Sequence, residues 1–250
     1  GRRRRGGRDA DSDARALSSA EDWEREAENW IAWVRRPGHD AYWYYRDAFF
    51  GEIVPPPGRA TLEIGCGEGR VARDLAERGH RVTAIDAAPT MLHAALEADP
   101  GGTYICADAA DLPFDDDSFD IVVSYNSLMD VDDMPRAVHE AARVLEPGGR
   151  LCVSVTHPFK DAGYFASRDP DAHFVVEGSY MGKRRFEGTF ERDGLTITFR
   201  GWCYPLSDYW RAYEEAGLLV ERLREPTHTL EDPRHARLPL FLNLRAFKPA

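Results

Sequence analysis

The 250 residues, 43% of them hydrophobic, suffice for one domain with a sizeable core, and neither a bilayer-length apolar run nor a signal-peptide pattern is present. The formal net charge of −11 argues against nucleic acid or an anionic membrane as a partner, because such a surface repels phosphates. The four cysteines are scattered without a CxxC or Cys/His cluster, so we expect no metal site and reduced thiols in the cytoplasm.

The first 58 residues divide into two segments of different character. Residues 1–19 combine a four-arginine run with few apolar side chains, which is typical of a disordered tail. Residues 20–58 favour helices, because Ser19 precedes an acidic turn and apolar side chains recur at helical spacing, at Trp23, Ala27, Trp30 and Val34. We expect this aromatic-rich segment to act as a lid that contacts substrate through Trp33, Tyr42 and Tyr45. The alternative is that these rings only pack the helices onto the main sheet.

The rest of the chain is dominated by alternating strands and helices. In residues 59–157, strands are predicted at 60–65, 81–85, 103–107, 119–124 and 150–156, with helices at 69–78, 89–97 and 135–145. Residues 206–250 add a helix at 206–216, a strand at 218–224 and an antiparallel final strand at 240–247. This alternation predicts an α/β fold, a Rossmann-like three-layer sandwich around a mainly parallel seven-stranded sheet.

Residues 158–205 interrupt the alternation after the fifth strand. Two alternating segments flank Asp193-Gly194, a dipeptide typical of a β-hairpin turn. An insertion at the carboxyl end of a strand is well placed to form a wall beside a substrate, so we expect Tyr180 to contact substrate there. The alternative is a hairpin without a functional role.

A strand, a glycine-rich turn and a helix follow one another at residues 61–70. Gly65, Gly67 and Gly69 allow a sharp turn and leave room for a ligand against the backbone, and the next helix points its free N–H groups towards that ligand. Asp86 ends the second strand, where its carboxylate can accept hydrogen bonds from ribose hydroxyls. Taken alone, such an aspartate is more often a helix cap. The alternate glycine spacing disfavours a nicotinamide-dependent oxidoreductase, whose motif is GxGxxG.

Residues 61–156 resemble the cofactor domain of class I S-adenosylmethionine-dependent methyltransferases, and within that class the small-molecule enzymes called type 11. Five segments in the family's order carry the resemblance: residues 62–69 (LEIGCGEG), 84–91 (AIDAAPTM), 107–114 (ADAADLPF), 119–124 (FDIVVS) and 143–150 (RVLEPGGR). The resemblance covers about 100 of the 250 residues. It implies that the cofactor is S-adenosyl-L-methionine.

The resemblance also implies roles for individual residues. Asp86 would hold the ribose, and Asp108 would accept a hydrogen bond from the adenine amino group. Tyr125 would approach the sulfonium and amino group through its backbone. The full implied cofactor set is Glu63, Gly65, Cys66 and Gly67 around the methionine part, Asp86 at the ribose, Ala87, Met91, Asp108 and Ala109 at adenine, and Tyr125.

Two residues are candidates for a catalytic base. The family commonly has histidine after the fourth strand, but residues 126–131 read NSLMDV, so Asp130 is the nearest replacement and Asn126 a candidate substrate contact. Asp130 could equally orient a loop or cap the next helix. His157 ends the fifth strand, where an imidazole could take a proton from a nucleophile or merely hydrogen-bond a loop. Methyl transfer can also proceed by positioning alone.

These observations favour methyl transfer to an oxygen, nitrogen or carbon atom of a small aromatic or apolar metabolite, in specialised biosynthesis. The alternatives are an enzyme that binds the same cofactor but catalyses another reaction, such as a cyclisation, and a binding protein without turnover. The sequence leaves open the acceptor and the oligomeric state.

Overall fold

The chain alternates strands and helices as its hydrophobic pattern predicts. The computed structural model describes residues 17–228 and 232–250, so the tail expected at residues 1–19 lies outside the described residues as far as residue 16. The α-helices of the described part are α1 (Ser19–Val34), α2 (Tyr42–Glu52), α3 (Arg70–Glu77), α4 (Pro89–Ala98), α5 (Met134–Val144) and α6 (Leu206–Glu215). Its strands are β1 (Thr61–Ile64), β2 (Val82–Asp86), β3 (Thr103–Cys106), β4 (Phe119–Tyr125), β5 (Leu145–Thr156), β6 (Gly163–Phe165), β7 (Phe174–Val176), β8 (Arg184–Arg192), β9 (Leu195–Cys203), β10 (Leu219–Arg224) and β11 (Phe241–Phe247).

Seven of these strands form the main sheet, in the order β10-β11-β5-β4-β1-β2-β3. Strands β1 to β5 run parallel to one another, and β11 runs antiparallel to both β5 and β10. The predicted fold class, with its mainly parallel sheet, is therefore confirmed. The strand order reverses between β1 and β4, and a ligand crevice opens at the carboxyl ends of strands at such a switch point.

Helices cover both faces of the sheet because successive residues of a strand point to opposite sides. Val122 packs with α5 and α6 in one buried cluster, whereas its neighbours Ile121 and Val123 pack with α2 and α3 in another. The result is the expected three-layer sandwich.

Strand β5 starts earlier than predicted. It begins at Leu145, which pairs with Phe119, and the register then shifts so that Ile121 pairs with Arg150. Gly148 has a positive φ of 83° within this irregularity. The Pro147-Gly148-Gly149 segment is thus a bulge inside the strand and not the turn that precedes it.

The hairpin insertion packs against the N-terminal helix α1. Strands β8 and β9 are joined by Asp193 and Gly194, both at positive φ, as a tight two-residue hairpin turn requires. Trp33 and Val34 of α1 bury Ile197 of β9 completely. Helix α1 and the insertion therefore pack together as one layer.

Helix α1 begins one residue before the expected segment. Ser18 is its N-cap, and Glu21 completes a capping box with it, so Ser19 is the first helical residue. A second, short hairpin of β6 and β7 was not predicted, because strands of three residues carry too little alternation to be recognised.

Several properties of the described residues bear on partners and ligands. None of their helices combines the length and apolar character needed to cross a membrane. Within residues 17–228 and 232–250, no group of three or more His, Cys, Asp or Glu side chains could hold a metal ion. The four cysteines are unpaired, and all but Cys106 are buried.

Candidate functional site

The glycine turn lies between β1 and α3, at the carboxyl end of β1. Gly65, Gly67 and Gly69 have φ values of 70°, 55° and 82°, which side chains other than glycine rarely adopt. A Cβ on Gly65 would lie 2.4 Å from Cβ of Ser127, in the loop after β4. Glycine is therefore required where the loops after β1 and β4 meet.

Asp86 binds the backbone on two sides of this turn. Its Oδ2 accepts a hydrogen bond from the Gly67 N–H at 2.8 Å, and its Oδ1 accepts one from the Ala88 N–H at 2.9 Å. Burial raises the pKa of the Asp86 carboxyl, while these backbone donors oppose the shift. Each carboxylate oxygen can accept a further bond, so Asp86 could hold two hydroxyl groups without releasing the turn.

Glu63 is a buried acid in the middle of β1, only 1% exposed. Burial, reinforced by the neighbouring charge of Asp86, raises its pKa to about 8. Its Oε2 atom has no hydrogen-bond partner among the described residues. A buried acceptor of this kind is costly unless a ligand satisfies it.

The residues expected at adenine surround the same crevice with different exposure. Ala87 and Asp108 are exposed, and Asp108 Oδ1 accepts from the Ala110 N–H at 2.8 Å. Ala109 and Met91 are 8% and 2% exposed. Burial also raises the pKa of the Cys66 thiol well above its usual range, so this cysteine is a packing residue with little nucleophilic character.

Helix α1 covers the cofactor side of the crevice as well as the hairpin. Its Trp30 Nε1 lies 3.4 Å from the point that a Cβ on Gly67 would occupy. Its Glu24 carboxylate accepts from the Thr90 N–H at 3.1 Å and from Thr90 Oγ1 at 2.6 Å, at the start of α4. Met91 is buried beneath the same helix.

Asp130 lies where the loop after β4, helix α1 and the hairpin converge. A Cβ on Gly201 of β9 would come within 2.4 Å of its Oδ1. Burial raises the pKa of Asp130 well above its usual range, against the attraction of Arg185 and a hydrogen bond with Trp23. Part of the residue nevertheless remains accessible. A recessed carboxyl with a raised pKa is suited to proton transfer.

His157 is placed differently. Its Nε2 lies 2.9 Å from Glu225 Oε1, and its Nδ1 accepts from the Phe159 N–H at 3.2 Å. Both ring nitrogens thus have protein partners, and one contact must break before the imidazole can accept a proton from a substrate. Its role as a base remains a prediction, with a less favourable geometry than that of Asp130.

Each of the five residues expected to bind substrate has a contact within the protein. Trp33 packs on the ring of His39 at 4.4 Å, and Tyr45 meets Phe241 edge-on at 5.0 Å; both are buried. The other three have hydrogen-bond partners within the protein: Tyr42 donates to Asp74, Asn126 Oδ1 accepts from Ser154 Oγ, and Tyr180 OH accepts from the Leu206 N–H. Their contacts are those of packing and loop-fixing residues, and substrate binding by them remains a prediction.

Several polar residues near the crevice were not predicted from the sequence. Arg70 pairs with Asp40 at 2.7 Å, and Asp161 accepts from Thr156 Oγ1 at 2.8 Å beyond the end of β5. Arg70 directly follows the glycine motif, which was a usable signal. No sequence pattern pointed to Asp40, because thirty positions separate it from its partner Arg70.

The crevice residues fit a nucleoside with a polar tail. A turn free of side chains, a carboxylate at the end of β2 and an unsatisfied acceptor on Glu63 lie together at the switch point of the sheet. That combination fits the S-adenosylmethionine-dependent methyltransferases that the sequence motifs resemble, with the ligand crevice at the switch point of the sheet.

Comparison with known proteins agrees with this classification. Residues 62–153 match the family described as a methyltransferase domain. The chain is 37% identical over 119 residues to a demethylmenaquinone methyltransferase of Clavibacter sepedonicus, covering 46% of this chain and 48% of that protein. It is 39% identical over 98 residues to a malonyl-[acyl-carrier protein] O-methyltransferase of Serratia marcescens, covering 39% and 38%. The chain thus spans about half or less of these relatives.

Solved structures match over more of the chain. An S-adenosylmethionine-dependent methyltransferase from Mesorhizobium loti is 24% identical, with a TM-score of 0.66, covering 84% of this chain and 98% of that one. The cyclase SpnF is 18% identical, with a TM-score of 0.64, covering 94% and 98%. At these identities the likeness shows the fold. Residues 62–153 therefore match a methyltransferase domain, on the fold of the S-adenosylmethionine-dependent methyltransferases.

Proposed function

We propose that this chain transfers the methyl group of S-adenosyl-L-methionine to a nucleophilic atom of a small molecule. The observation that carries the proposal is Asp86, which holds the glycine turn and keeps lone pairs for two ribose hydroxyls. When bound, the cofactor supplies an electrophilic methyl group on a sulfonium. Glu63 would accept a hydrogen bond from the ammonium group of its amino-acid end.

Asp130 is the residue that we propose as the base. Its carboxylate would take the proton from an oxygen or nitrogen nucleophile while the lone pair of that atom attacks the methyl carbon. Its raised pKa makes it a stronger base than an ordinary aspartate. Trp23 of α1 and Gly201 of the hairpin lie against this position, so both elements would exclude water from it.

The acceptor is proposed to be a small aromatic or apolar metabolite. Trp23 beside Asp130 supports this class, because an indole ring favours planar or apolar partners. The net charge of −11 supports the exclusion of nucleic acid and anionic membranes. We also propose a cytoplasmic location, on the basis of the four unpaired thiols.

The test is incubation of the full chain with S-adenosylmethionine labelled in its methyl group and a panel of phenols, amines and carboxylic acids. We expect S-adenosylhomocysteine and labelled product in equal amounts, and strongly reduced amounts with Asp130→Asn. A product without label would indicate a non-methylating enzyme of the same fold. Cofactor binding with no product would indicate a binding protein.

A further inference from the structure

The hairpin insertion contains an arginine, Arg184, that the roles proposed so far do not use. Arg184 begins β8 and pairs with Cys203 of β9, so the two side chains lie on the same face of the hairpin. Gly201 lies two residues before Cys203 and therefore belongs to this face as well, and it is the residue that Asp130 approaches. Arg184 and the candidate base thus lie at successive positions of one face, which are about 7 Å apart along a strand.

The guanidinium of Arg184 is incompletely hydrogen-bonded. Its Nη2 donates to the Asp161 carbonyl oxygen at 2.9 Å, which ties the hairpin to the segment after β5. Its Nε is buried and has no hydrogen-bond partner among the described residues. Such a donor is costly, because it loses its bonds to water without replacement. The free N–H therefore indicates a ligand with an acceptor group that completes it.

The surroundings of this N–H are cationic, although the formal net charge of the whole chain is −11. Burial, reinforced by Asp161, raises the pKa of the Cys203 thiol to about 11, and the cations of Arg184 and Lys160 oppose the shift. Both cations therefore lie near Cys203. The Asp161 carboxylate is already engaged, since its Oδ2 accepts from Thr156 Oγ1 at 2.8 Å and its Oδ1 lies 3.4 Å from Lys160 Nζ. Two cations beside one occupied carboxylate favour an anionic ligand.

The neighbouring acids limit the charge of that anion. Burial raises the pKa of Tyr209, and the charges of Asp161 and Asp130 add to the shift, so both acids lie near the same buried tyrosine. A phosphate, with up to two negative charges, would meet more repulsion from these acids than a carboxylate with one. A planar carboxylate also matches the geometry of guanidinium donors. The site therefore favours a carboxylate.

We infer that Arg184 binds a carboxylate of the methyl acceptor and thereby determines which acceptors are methylated. The carboxylate would accept the hydrogen bond of Arg184 Nε, while the nucleophilic oxygen or nitrogen of the same molecule reaches Asp130. Phe186 pairs with Gly201 and shares this face, so its ring would contact the apolar or aromatic part between the two groups. This inference rests on the proposed function, and it narrows the acceptor to a small hydroxy or amino carboxylic acid.

Matched pairs of acceptors test this inference on the full chain. Hydroxy and amino carboxylic acids, among them 4-hydroxybenzoate, 4-aminobenzoate and 3-aminopropanoate, are each compared with their carboxamides, using S-adenosylmethionine labelled in its methyl group. A carboxamide keeps the nucleophile and the size of the acid but not its charge. We expect labelled product from at least one acid, with a kcat/KM about 10- to 150-fold above that of its carboxamide, the range for hydrogen bonds to a charged group.

Three variants complete the experiment. Arg184→Met should raise the KM of the preferred acid by about 10- to 150-fold with little change in kcat, and should leave the KM of its carboxamide within about twofold of the wild type. Arg184→Lys keeps the charge but not the planar donors, and should raise only the KM of the acid, by about 2- to 12-fold. It decides the question if Arg184→Met does not fold. The matched control, Arg211→Met, removes an exposed cation from α6 and should change neither KM.

The outcomes are distinct. Labelled product from none of the acids and carboxamides contradicts the proposed function, and the inference with it. Methyl transfer to the carboxamides as efficient as to the acids overturns the inference and leaves the proposed function standing. The same holds if the folded Arg184 variants leave the KM of the acid unchanged, or raise the KM of acid and carboxamide equally. A rise for the acid alone supports the inference.

Discussion

Asp86 illustrates how one side chain can serve both the fold and the ligand. Its oxygens accept from the Gly67 and Ala88 N–H groups, so it is a turn residue as well as the expected ribose contact. Asp86→Ala should weaken S-adenosylhomocysteine binding by about 1.5–3 kcal/mol, or roughly 10- to 150-fold. Calorimetry on folded protein checks this value. An unchanged dissociation constant would contradict the assignment.

The two candidate bases can be separated by kinetics. Asp130→Asn should lower turnover by about 100- to 10,000-fold with little change in cofactor affinity. His157→Ala should have a much smaller effect on turnover, because both of its ring nitrogens already have protein partners. Since Asp130 must be ionised to accept a proton and its pKa is raised, wild-type turnover should rise with pH until Asp130 is ionised. Normal turnover of both variants would mean that positioning alone suffices.

Glu63 should make stability depend on pH. Its pKa is raised from 4.5 to about 8 in the folded chain, so the folded state holds a proton that the unfolded state has released. The proton on folded Glu63 contributes on the order of several kcal/mol to the free energy of unfolding. This contribution is complete below about pH 4.5 and is lost as pH rises to about 8. Glu63→Gln should therefore raise Tm relative to wild type at pH 9 but not at pH 4.

The matched control is Glu77→Gln, a change at an exposed glutamate of α3. It should leave the pH dependence of Tm as in the wild type. Parallel curves for wild type and Glu63→Gln would show that Glu63 ionises normally, and the unsatisfied acceptor would then need another explanation.

At the residue scale, features carried by contiguous residues could be predicted from the sequence, whereas contacts between distant segments could not. The glycines and Asp86 could be assigned because strand, turn and helix are contiguous in sequence. The pairing of Arg70 with Asp40, or of His157 with Glu225, depends on segments 30 and 68 positions apart. The hydrophobic pattern within one segment gives no information on its contacts with another segment.

Among the elements, α1 connects the cofactor turn to the hairpin. Phe199 of β9 packs on Trp23 and Trp30, with ring centroids 6.2 and 5.7 Å away. Phe199→Ala should loosen α1, because each aromatic pair contributes about 0.5–1.5 kcal/mol beyond burial. Hydrogen exchange should then be faster in residues 19–34 and unchanged in the central strands β1 and β4.

The control on the same hairpin is Thr189→Ala, at an exposed position paired with Thr198. It should leave exchange in α1 as in the wild type. Unchanged exchange in α1 with Phe199→Ala would show that the helix does not depend on the hairpin.

The element boundaries show what patterns can and cannot specify. The Asp193-Gly194 dipeptide located the hairpin turn, because few residues tolerate positive φ there. The start of β5 was predicted at residue 150 and lies at Leu145, since the Pro147-Gly148-Gly149 bulge uses the residue types that are typical of a turn. The packing of the hairpin on α1 could not be predicted, because an apolar face does not show which element it packs against.

For the whole molecule, alternation of strands and helices was sufficient to predict a parallel sheet, and the family motifs placed its crevice. The final strand β11, predicted as antiparallel, lies between β5 and β10 and runs antiparallel to both. The position of α1 over that crevice could not be predicted from composition. It depends on contacts between the first and last thirds of the chain, such as the ion pair of Arg185 with Asp22.

The measurement that tests the central claim most directly is a crystal structure of the full chain grown with S-adenosylhomocysteine. We expect one ligand per chain at the carboxyl ends of β1 and β2. Its ribose hydroxyls should lie about 2.7–3.0 Å from the Asp86 oxygens, and its sulfur should face Asp130. A ligand bound elsewhere, or crystals from saturating ligand without density beside Asp86, would contradict it.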